Sequence, residues 1–359
     1  MRVLRISIII LNYNGWQDTI DCLESVYQTD YSNYDMVLID NGSNDDSIEK
    51  IKKYCCGEIE VKSKFFEYNP NNKPIRVFEY EEGMENYDIK EYKSLDSDRK
   101  LILIRNKKNY GFTEGNNIGI RFALKNLNPD YILLLNNDTV IEKDLLKELV
   151  KTILENCRIA LVQPKIISYQ DLSIDNLGFS CDFLGNTRPK KVLNNKNLFY
   201  LSGACLLINT DFISEITKNG EIFDKELFAY FEDVDLSWRA RLLRYELKVN
   251  INTICYHKGS KTVKKINLNT YYLDYRNKLR VFIKNLSLPY LFIYLFLSLP
   301  IKFLLAVIKS VKSIIWNIKN LGNTLKYRVA VQKTRKISDK EILKRMILIF
   351  NFNKDRIIL

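Results

Sequence analysis

The 359-residue chain has one histidine and seven cysteines, and no two cysteines stand in a Cys-x-x-Cys pair. The cysteines lie at 22, 55, 56, 157, 181, 205 and 255, which argues against a zinc cluster or a disulfide framework and for a reducing compartment. A glycine-rich phosphate loop is missing as well: Asn12-Tyr13-Asn14-Gly15 holds one glycine and neither Lys nor Arg. The first apolar run, Ile6 to Leu11, is too short for a signal peptide and reads as a strand. Internal repeats, low-complexity tracts and nucleic-acid-binding signatures are absent too.

What is present describes a folded protein with a divided charge. Hydrophobic residues make up 46% and charged residues 27%, enough to bury a sizeable core, so one large domain with an appendage is expected. From Lys258 onward 22 Lys+Arg face 4 Asp+Glu, a charge of +18, which leaves −6 for Met1 to His257 within the total of +12. A uniformly basic nucleic-acid binder is not built this way. A mildly acidic body with a basic, apolar tail suits an anionic membrane surface, and no nucleic-acid partner is expected.

Along the first half, continuous apolar runs (Val3–Leu11, Met36–Asp40, Leu101–Arg105, Tyr131–Asn136, Ile159–Gln163) alternate with helical patterns (Thr19–Gln28, Ser47–Tyr54, Asn116–Leu127, Lys143–Leu154). That rhythm predicts an α/β protein with a mainly parallel sheet covered on both faces. The polar, Tyr- and Glu-rich segment 55–99 breaks it and reads as an insertion at the sheet edge. After Pro164 irregular structure with a β-ribbon is expected, then an apolar run at Tyr200–Asn209, a helix at Glu232–Tyr245 and a strand at Lys248–Cys255.

Ligands of open α/β sheets bind at the carboxyl ends of the strands. Those ends read Asn12-Tyr13-Asn14, Asp40-Asn41-Gly42-Ser43, Asn109-Tyr110-Gly111-Phe112 and Asn136-Asn137-Asp138, residue types that serve sugar, ribose and metal binding but also ordinary turns. Asp40 suits a nucleotide's base or ribose, or a turn cap. Asp138 suits Mg²⁺ or Mn²⁺ against a diphosphate, or a cap before Thr139. Glu232, Asp233 and Asp235 put three acids within four residues, either as helix-dipole partners or with one carboxylate entering a cleft as a general base. Arg239 can pair with an acid or a phosphate. His257, directly after a strand, is either structural or a ligand for a Mn²⁺-like ion.

Taken together these motifs resemble the family-2 glycosyltransferases, in particular the rhamnosyltransferase-like branch with a GT-A fold. The resemblance covers roughly residues 6 to 284. It rests on Ser7 to Gly15, Asp40-Asn-Gly-Ser43, Asn109-Tyr-Gly-Phe112 with Gly115-Asn-Asn-Ile-Gly119, Asn136-Asn-Asp-Thr139, Leu201-Ser-Gly-Ala204 and Phe231 to Arg239. It implies an inverting transfer of a sugar, such as rhamnose or another hexose, from a nucleotide-diphosphate donor to a saccharide or lipid-linked saccharide acceptor. It places Asn12, Tyr13, Asn14, Asp40, Asn41, Gly111, Asn116 and Asn137 on the donor nucleotide. Asp138 and His257 fall on a divalent metal (Mn²⁺ or Mg²⁺), Asp233 with Glu232 at the catalytic base, and Gly203, Trp238 and Arg239 on the acceptor or sugar side. Asn136 departs from the family's Asp-x-Asp, replacing the first acid.

The expected domains are 1–284 for the transferase, with 55–99 inserted, and 285–359 for a helical membrane-associated tail. Residues 286–308 are nearly all apolar, about the 20 residues a spanning helix needs. Pro289, Pro300 and Lys302 interrupt the run. Lys302, Lys309, Lys312 and Lys319 recur opposite Leu305, Val307, Ile314 and Ile318, so a helix lying in the headgroup region at the cytoplasmic face is expected. A non-catalytic sugar-nucleotide scaffold and a sugar nucleotidyltransferase are the competing readings; the second lacks its phosphate loop.

Overall fold

The computed structural model describes residues 3–84, 87–193, 197–217, 220–259, 270–305 and 309–347. Twelve strands are found among them: β1 (Ile6–Asn12), β2 (Tyr34–Asp40), β3 (Arg76–Glu81), β4 (Lys100–Arg105), β5 (Tyr131–Asn136), β6 (Thr139–Ile141), β7 (Ile159–Ser168), β8 (Ile174–Asn176), β9 (Phe179–Cys181), β10 (Thr187–Pro189), β11 (Cys205–Asn209) and β12 (Glu246–His257). Helices α1 (Trp16–Tyr27), α2 (Ser47–Cys56), α3 (Lys90–Ser94), α4 (Gly111–Asn126), α5 (Leu145–Ile153), α6 (Thr210–Ile216) and α7 (Glu232–Leu242) are interspersed with them.

The main sheet runs β3-β4-β2-β1-β5-β11-β7-β12-β6, with β8 paired to β7. From β3 to β5 every pairing is parallel. β11 then enters antiparallel to both β5 and β7, and β6 runs antiparallel to β12. The expected mixed, mainly parallel α/β sheet is therefore present. Its middle strands are buried because they are apolar without alternation: Ile6, Ile8, Ile9 and Ile10 of β1 and Leu133 of β5 have no exposed surface. Gly115 and Gly119 let α4 lie close on that sheet, where an added Cβ would fall 2.6 Å from Leu11 and 2.6 Å from Ile9 respectively.

Residues 55–99 supply the edge strand β3, whose side chains are largely half-buried or exposed. The same segment is tied to α1 by a buried carboxylate. Glu24 accepts hydrogen bonds from the Tyr54 hydroxyl (2.8 Å), the Asn69 amide (2.8 Å), Gln28 Nε2 (2.9 Å) and Lys73 Nζ (3.0 Å). Glu24 and Lys73 are 0% and 5% exposed, and burial holds the Lys73 pKa below its ordinary value in spite of the Glu24 charge.

Two compact units divide the chain. The first comprises Met1–Asp175, Ser202–Ala229 and Lys248–Leu268, the second Asn176–Leu201, Tyr230–Leu247 and Asn269–Leu359. The second contains the small β9–β10 ribbon, α7, and helices Thr270–Asn285, Leu288–Leu305, Lys309–Lys319, Leu321–Thr334 and Asp339–Leu343. Among the described residues no helix is long and apolar enough to cross a membrane. Of the residues in the expected lysine-and-apolar arc, Lys302, Leu305, Val307 and Lys309 lie outside the described side chains, and Ile314 is half-buried.

Removing the cation from the Glu24 site should be costly, since a buried ion pair broken on one side leaves a charge without its counterion. Lys73→Met is expected to lose about 3–5 kcal/mol of stability, read as a lower midpoint in urea unfolding. An unchanged midpoint would mean that the three neutral donors alone satisfy Glu24.

Candidate active site

Parallel pairing places the strand ends side by side. Asn12 is the register partner of Asp40, Leu11 that of Asn136, and Asp40 that of Arg105. Polar side chains at these ends then bond to one another. Asp40 Oδ1 accepts from Asn12 Nδ2 (2.8 Å) and from the Ser43 hydroxyl (2.6 Å), and Oδ2 accepts from the Ser43 amide (3.0 Å). The Thr19 hydroxyl of α1 donates to Asn12 Oδ1 (2.9 Å) and accepts from Asn137 Nδ2 (3.0 Å). Gly15 fits this corner tightly: a Cβ there would sit 3.0 Å from Asn137 Nδ2, which would have to give way. Tyr13 and Asn14 are half-buried at the rim, with Asn14 in the left-handed region at φ 51.

Asn41 knits the third loop to the second. Its Nδ2 donates to Asn109 Oδ1 (3.0 Å) and the Gly111 carbonyl (3.1 Å), while its Oδ1 accepts from Asn106 Nδ2 (3.0 Å) and the Tyr110 amide (3.2 Å). Gly111 opens α4 at φ +75, where a Cβ would meet the Phe228 carbonyl oxygen at 2.5 Å, so backbone strain and backbone contact both demand glycine. Asn12, Asp40, Asn41, Asn116 and Asn137 are all buried. Asn116 spends its Nδ2 on the Phe112 carbonyl of its own helix at 2.8 Å. These buried side chains shape the loops from beneath.

A second cluster arises from one short pairing. β6 aligns Thr139 with His257, and the Lys258 amide donates to the Asp138 carbonyl at 2.9 Å, so Asp138 and His257 come together across 119 positions of chain. His257 Nε2 lies 3.5 Å from Asp138 Oδ1, and His257 Nδ1 lies 3.4 Å from Asp175 Oδ2. Burial works against the imidazolium, but hydrogen bonds to Asp138 and Asp175 outweigh it and raise the His257 pKa to about 10. Lys258 turns the other way, its ammonium bridging Asp18 (2.9 Å) and Asp21 of α1.

Among the described residues no group of three or more His, Cys, Asp or Glu is placed to hold a metal ion. The residues present fit a divalent cation nonetheless, on two counts. His257 Nε2 is buried and makes no hydrogen bond closer than its 3.5 Å approach to Asp138. Asp175 on the opposite ring nitrogen fixes the imidazole as such carboxylates do beside metal-bound histidines. Two protein donors leave the remaining positions to ligand oxygens and water.

In the second unit, α7 begins after two consecutive residues in the left-handed region, Tyr230 and Phe231, both at φ 70. Held strain of this kind gathers at functional sites. Glu232 is buried with Oε2 lacking a hydrogen-bond partner, and burial together with the neighbouring Asp233 pushes its pKa up to about 8. Asp233 is half-exposed, its Oδ1 accepting from the Val234 amide at 2.8 Å. Asp235 is structural, held by Lys284 (3.0 Å), Asn285 (2.8 Å) and Arg239 (3.2 Å).

One expectation for the sugar side needs correction. Trp238 is fully buried between Phe199 and Phe282, at ring-centre distances of 5.3 and 4.9 Å, and is a packing residue. Arg239 is paired with Asp235, the acid one turn earlier, the first of the two partners its sequence allowed. Gly203, in the first unit, is buried in the turn before β11. Thr19, Asp175, Lys258, Asp18 and Asp21 were not expected, and Ser43 was named only as part of its strand-end motif. Only the Asp18/Asp21 pair, three apart on one helix, carried a signal in sequence.

Comparison with known proteins follows the same lines. The profile described as glycosyl transferase family 2 matches residues 7–72 and 88–217, skipping the stretch that carries β3. The low-salt glycan biosynthesis hexosyltransferase Agl10 of Haloferax volcanii is 30% identical over 139 residues, 37% of this chain and 44% of that protein. In structure, GalNAc-T7 solved with UDP, GalNAc and Mn²⁺ is similar with a TM-score of 0.55 at 16% identity, over 82% of this chain and 50% of that one. S. aureus TarS 1–349 in complex with UDP-GlcNAc follows at a TM-score of 0.50 and 13% identity, over 95% and 90% of the two chains. Both likenesses concern the fold, which is the GT-A arrangement. The chain spans under half the length of the hexosyltransferase it matches and half that of GalNAc-T7.

The raised pKa of Glu232 has a consequence for stability. A carboxyl lifted from 4.5 to about 8 binds an extra proton in the folded state, so its contribution is fully present at low pH and is lost as pH rises through about 8. Glu232→Gln should flatten the decline in melting temperature between pH 5 and pH 9 and melt above the parent at pH 9. Parallel curves for the two proteins would refute the raised value.

Proposed function

This chain belongs to glycosyl transferase family 2, and from that premise we propose that it catalyses an inverting transfer of a hexosyl group from a nucleotide-diphosphate sugar to a hydroxyl of a saccharide, free or lipid-linked. The observation that carries this reading is the meeting of Asp138 and His257 in the same unit as the Asn12–Asp40–Ser43 corner of strand ends, residues that suit a cation and a nucleotide. The relatives support the donor class, since GalNAc-T7 was solved with UDP and Mn²⁺ and TarS with UDP-GlcNAc. A UDP- or dTDP-linked hexose or deoxyhexose, rhamnose among them, is the proposed donor. Action on the cytoplasmic side follows from where such donors are usually made.

In the proposed mechanism the loops of β1, β2 and α4 seat the nucleoside, with Asp40 holding the Ser43 turn in shape. Asp138 and His257 would hold the divalent cation, which neutralises charge on the departing diphosphate. By the family's Glu-Asp motif, Asp233 is the residue that would take the proton of the acceptor hydroxyl as its oxygen bonds to the anomeric carbon. The bond from that carbon to the phosphate oxygen breaks, and its electron pair leaves with the nucleoside diphosphate. One displacement inverts the anomeric centre, so no enzyme nucleophile is needed. Glu232, uncharged near neutral pH by its raised pKa, keeps a second negative charge away from Asp233.

A non-catalytic sugar-nucleotide scaffold is the reading favoured by one observation, the neutral Asn136 where the family has an acid. Calorimetry with UDP, dTDP and GDP separates the cases. Tight binding of one nucleotide is expected with Mn²⁺ and not without it, and Asp175→Asn should weaken that binding about 10–100-fold. Asp233→Asn should keep donor affinity while losing about 10²–10⁴ in turnover. Nucleotide binding indifferent to metal, or absence of turnover in the parent, would move the chain to the scaffold class.

A further inference from the structure

The helices of the second unit carry an exposed apolar surface that no described part of the chain covers. Ile315 and Ile318 on Lys309–Lys319 continue into Leu321, Leu325 and Val329 on Leu321–Thr334, every one of them exposed, Val329 to 67%. A stripe of large aliphatic side chains at steps of three and four is a burial face without its partner. Exposed lysines follow it at intervals of seven, Lys312, Lys319, Lys326 and Lys333. On each helix they stand along one edge of the stripe.

The opposite sides of these helices are fastened to protein. Ser313, Asn317, Thr324, Arg328 and Val331 are buried. Arg280 of the helix Thr270–Asn285 donates to the Thr324 hydroxyl at 2.6 Å, and Arg328 donates to the Leu286 carbonyl at 2.6 Å. Helix Leu288–Leu305 repeats the division. Leu291, Tyr294 and Ser298 are buried, Tyr294 stacking on Phe282 at 4.3 Å, while Phe292 and Phe296 point outward, Phe296 to 79%. Helices fastened to protein along one side, with an apolar strip on the other, suit a pose lying in a surface.

We propose that the face formed by Ile315, Ile318, Leu321, Leu325 and Val329, rimmed by Lys312, Lys319, Lys326 and Lys333, docks in the plane of an anionic lipid surface. The charge chooses this occupant. A second copy of the chain would bring the same row of lysines against itself, whereas anionic headgroups neutralise it and the acyl boundary takes the aliphatic stripe. The face differs from the one expected from residues 302–319: its apolar half lies mostly beyond Ile315, and its lysines extend to Lys333. The inference does not depend on the sugar-transfer reading, though docking there would hold the enzyme where lipid-linked acceptors lie.

Co-sedimentation of the full chain with vesicles tests it. Vesicles of phosphatidylcholine with about one-third phosphatidylglycerol should bind at least about tenfold more tightly than phosphatidylcholine alone, and 0.5 M NaCl should remove most of that preference. Leu325→Asp with Val329→Asp should abolish binding, and Lys319→Gln with Lys326→Gln should weaken it while leaving the apolar stripe intact. Metal-dependent nucleotide binding serves as the control for folding and for the catalytic reading, since none of these residues belongs to that site. Equal binding to neutral and anionic vesicles, or none by a chain that still binds nucleotide, would overturn the proposal. So would a concentration-dependent dimer in vesicle-free buffer that Leu325→Asp with Val329→Asp dissolves, which would assign the face to a second copy.

Discussion

Three residues of pairing between β6 and the end of β12 hold the first unit's chemistry in place. Thr139 opposite His257 fixes the register, and that register alone brings a carboxylate and an imidazole within 3.5 Å. A shift of one residue would turn His257 to the other face of the sheet. Lys258 secures the arrangement from behind by clamping the strand end to Asp18 and Asp21 of α1. The same helix carries Thr19, which joins Asn12 to Asn137. The Asp138–His257 pair and the Asn12–Asn137 corner are therefore braced by one helix, and neither can move far without disturbing the other.

The two candidate regions handle buried charge in opposite ways. Asp40 is a buried carboxylate whose oxygens are occupied by Asn12 and Ser43, so it stabilises a loop. Glu232 is also buried but has an oxygen without a partner, next to a second acid and two strained residues. An unsatisfied buried polar group of this kind costs about 1–3 kcal/mol, and folds keep such costs where function requires them. Asp235, three residues on, shows that the local structure can satisfy an acid when it has Lys284, Asn285 and Arg239 to do so.

The parallel half of the sheet was legible because its strands are buried on both faces and read as unbroken apolar runs; β5 begins and ends where the run Tyr131–Asn136 does. β3 was not, since Arg76–Glu81 alternates charge and aromatics as a half-exposed edge strand does. Asp138 and His257 were each visible as strand-end residues. Their meeting was expected from the family resemblance alone; the residues by themselves did not show it, because it depends on a register set by a three-residue strand more than a hundred positions away. Asp175 carried no sequence signal at all for the same reason. Trp238 misled because α7 buries polar and apolar residues alike: Arg241 lies beneath the surface donating to the Phe199 carbonyl at 2.9 Å, so no outward face could be read from its pattern.

On the proposed reading, the neutral Asn136 changes how a cation would have to be held. With a second carboxylate there, the protein could bind a divalent ion by charge alone. With Asp138 as the lone acidic ligand candidate, and His257 raised to a pKa of about 10 by Asp138 and Asp175, an incoming cation would have to displace a proton while gaining little charge in return. A diphosphate would supply the missing negative charge and oxygens. Cation and nucleotide sharing that corner would each raise the other's affinity by the same factor, as linkage requires. Asn136 would then make the site conditional, with the cation held firmly only when a donor is there to share it.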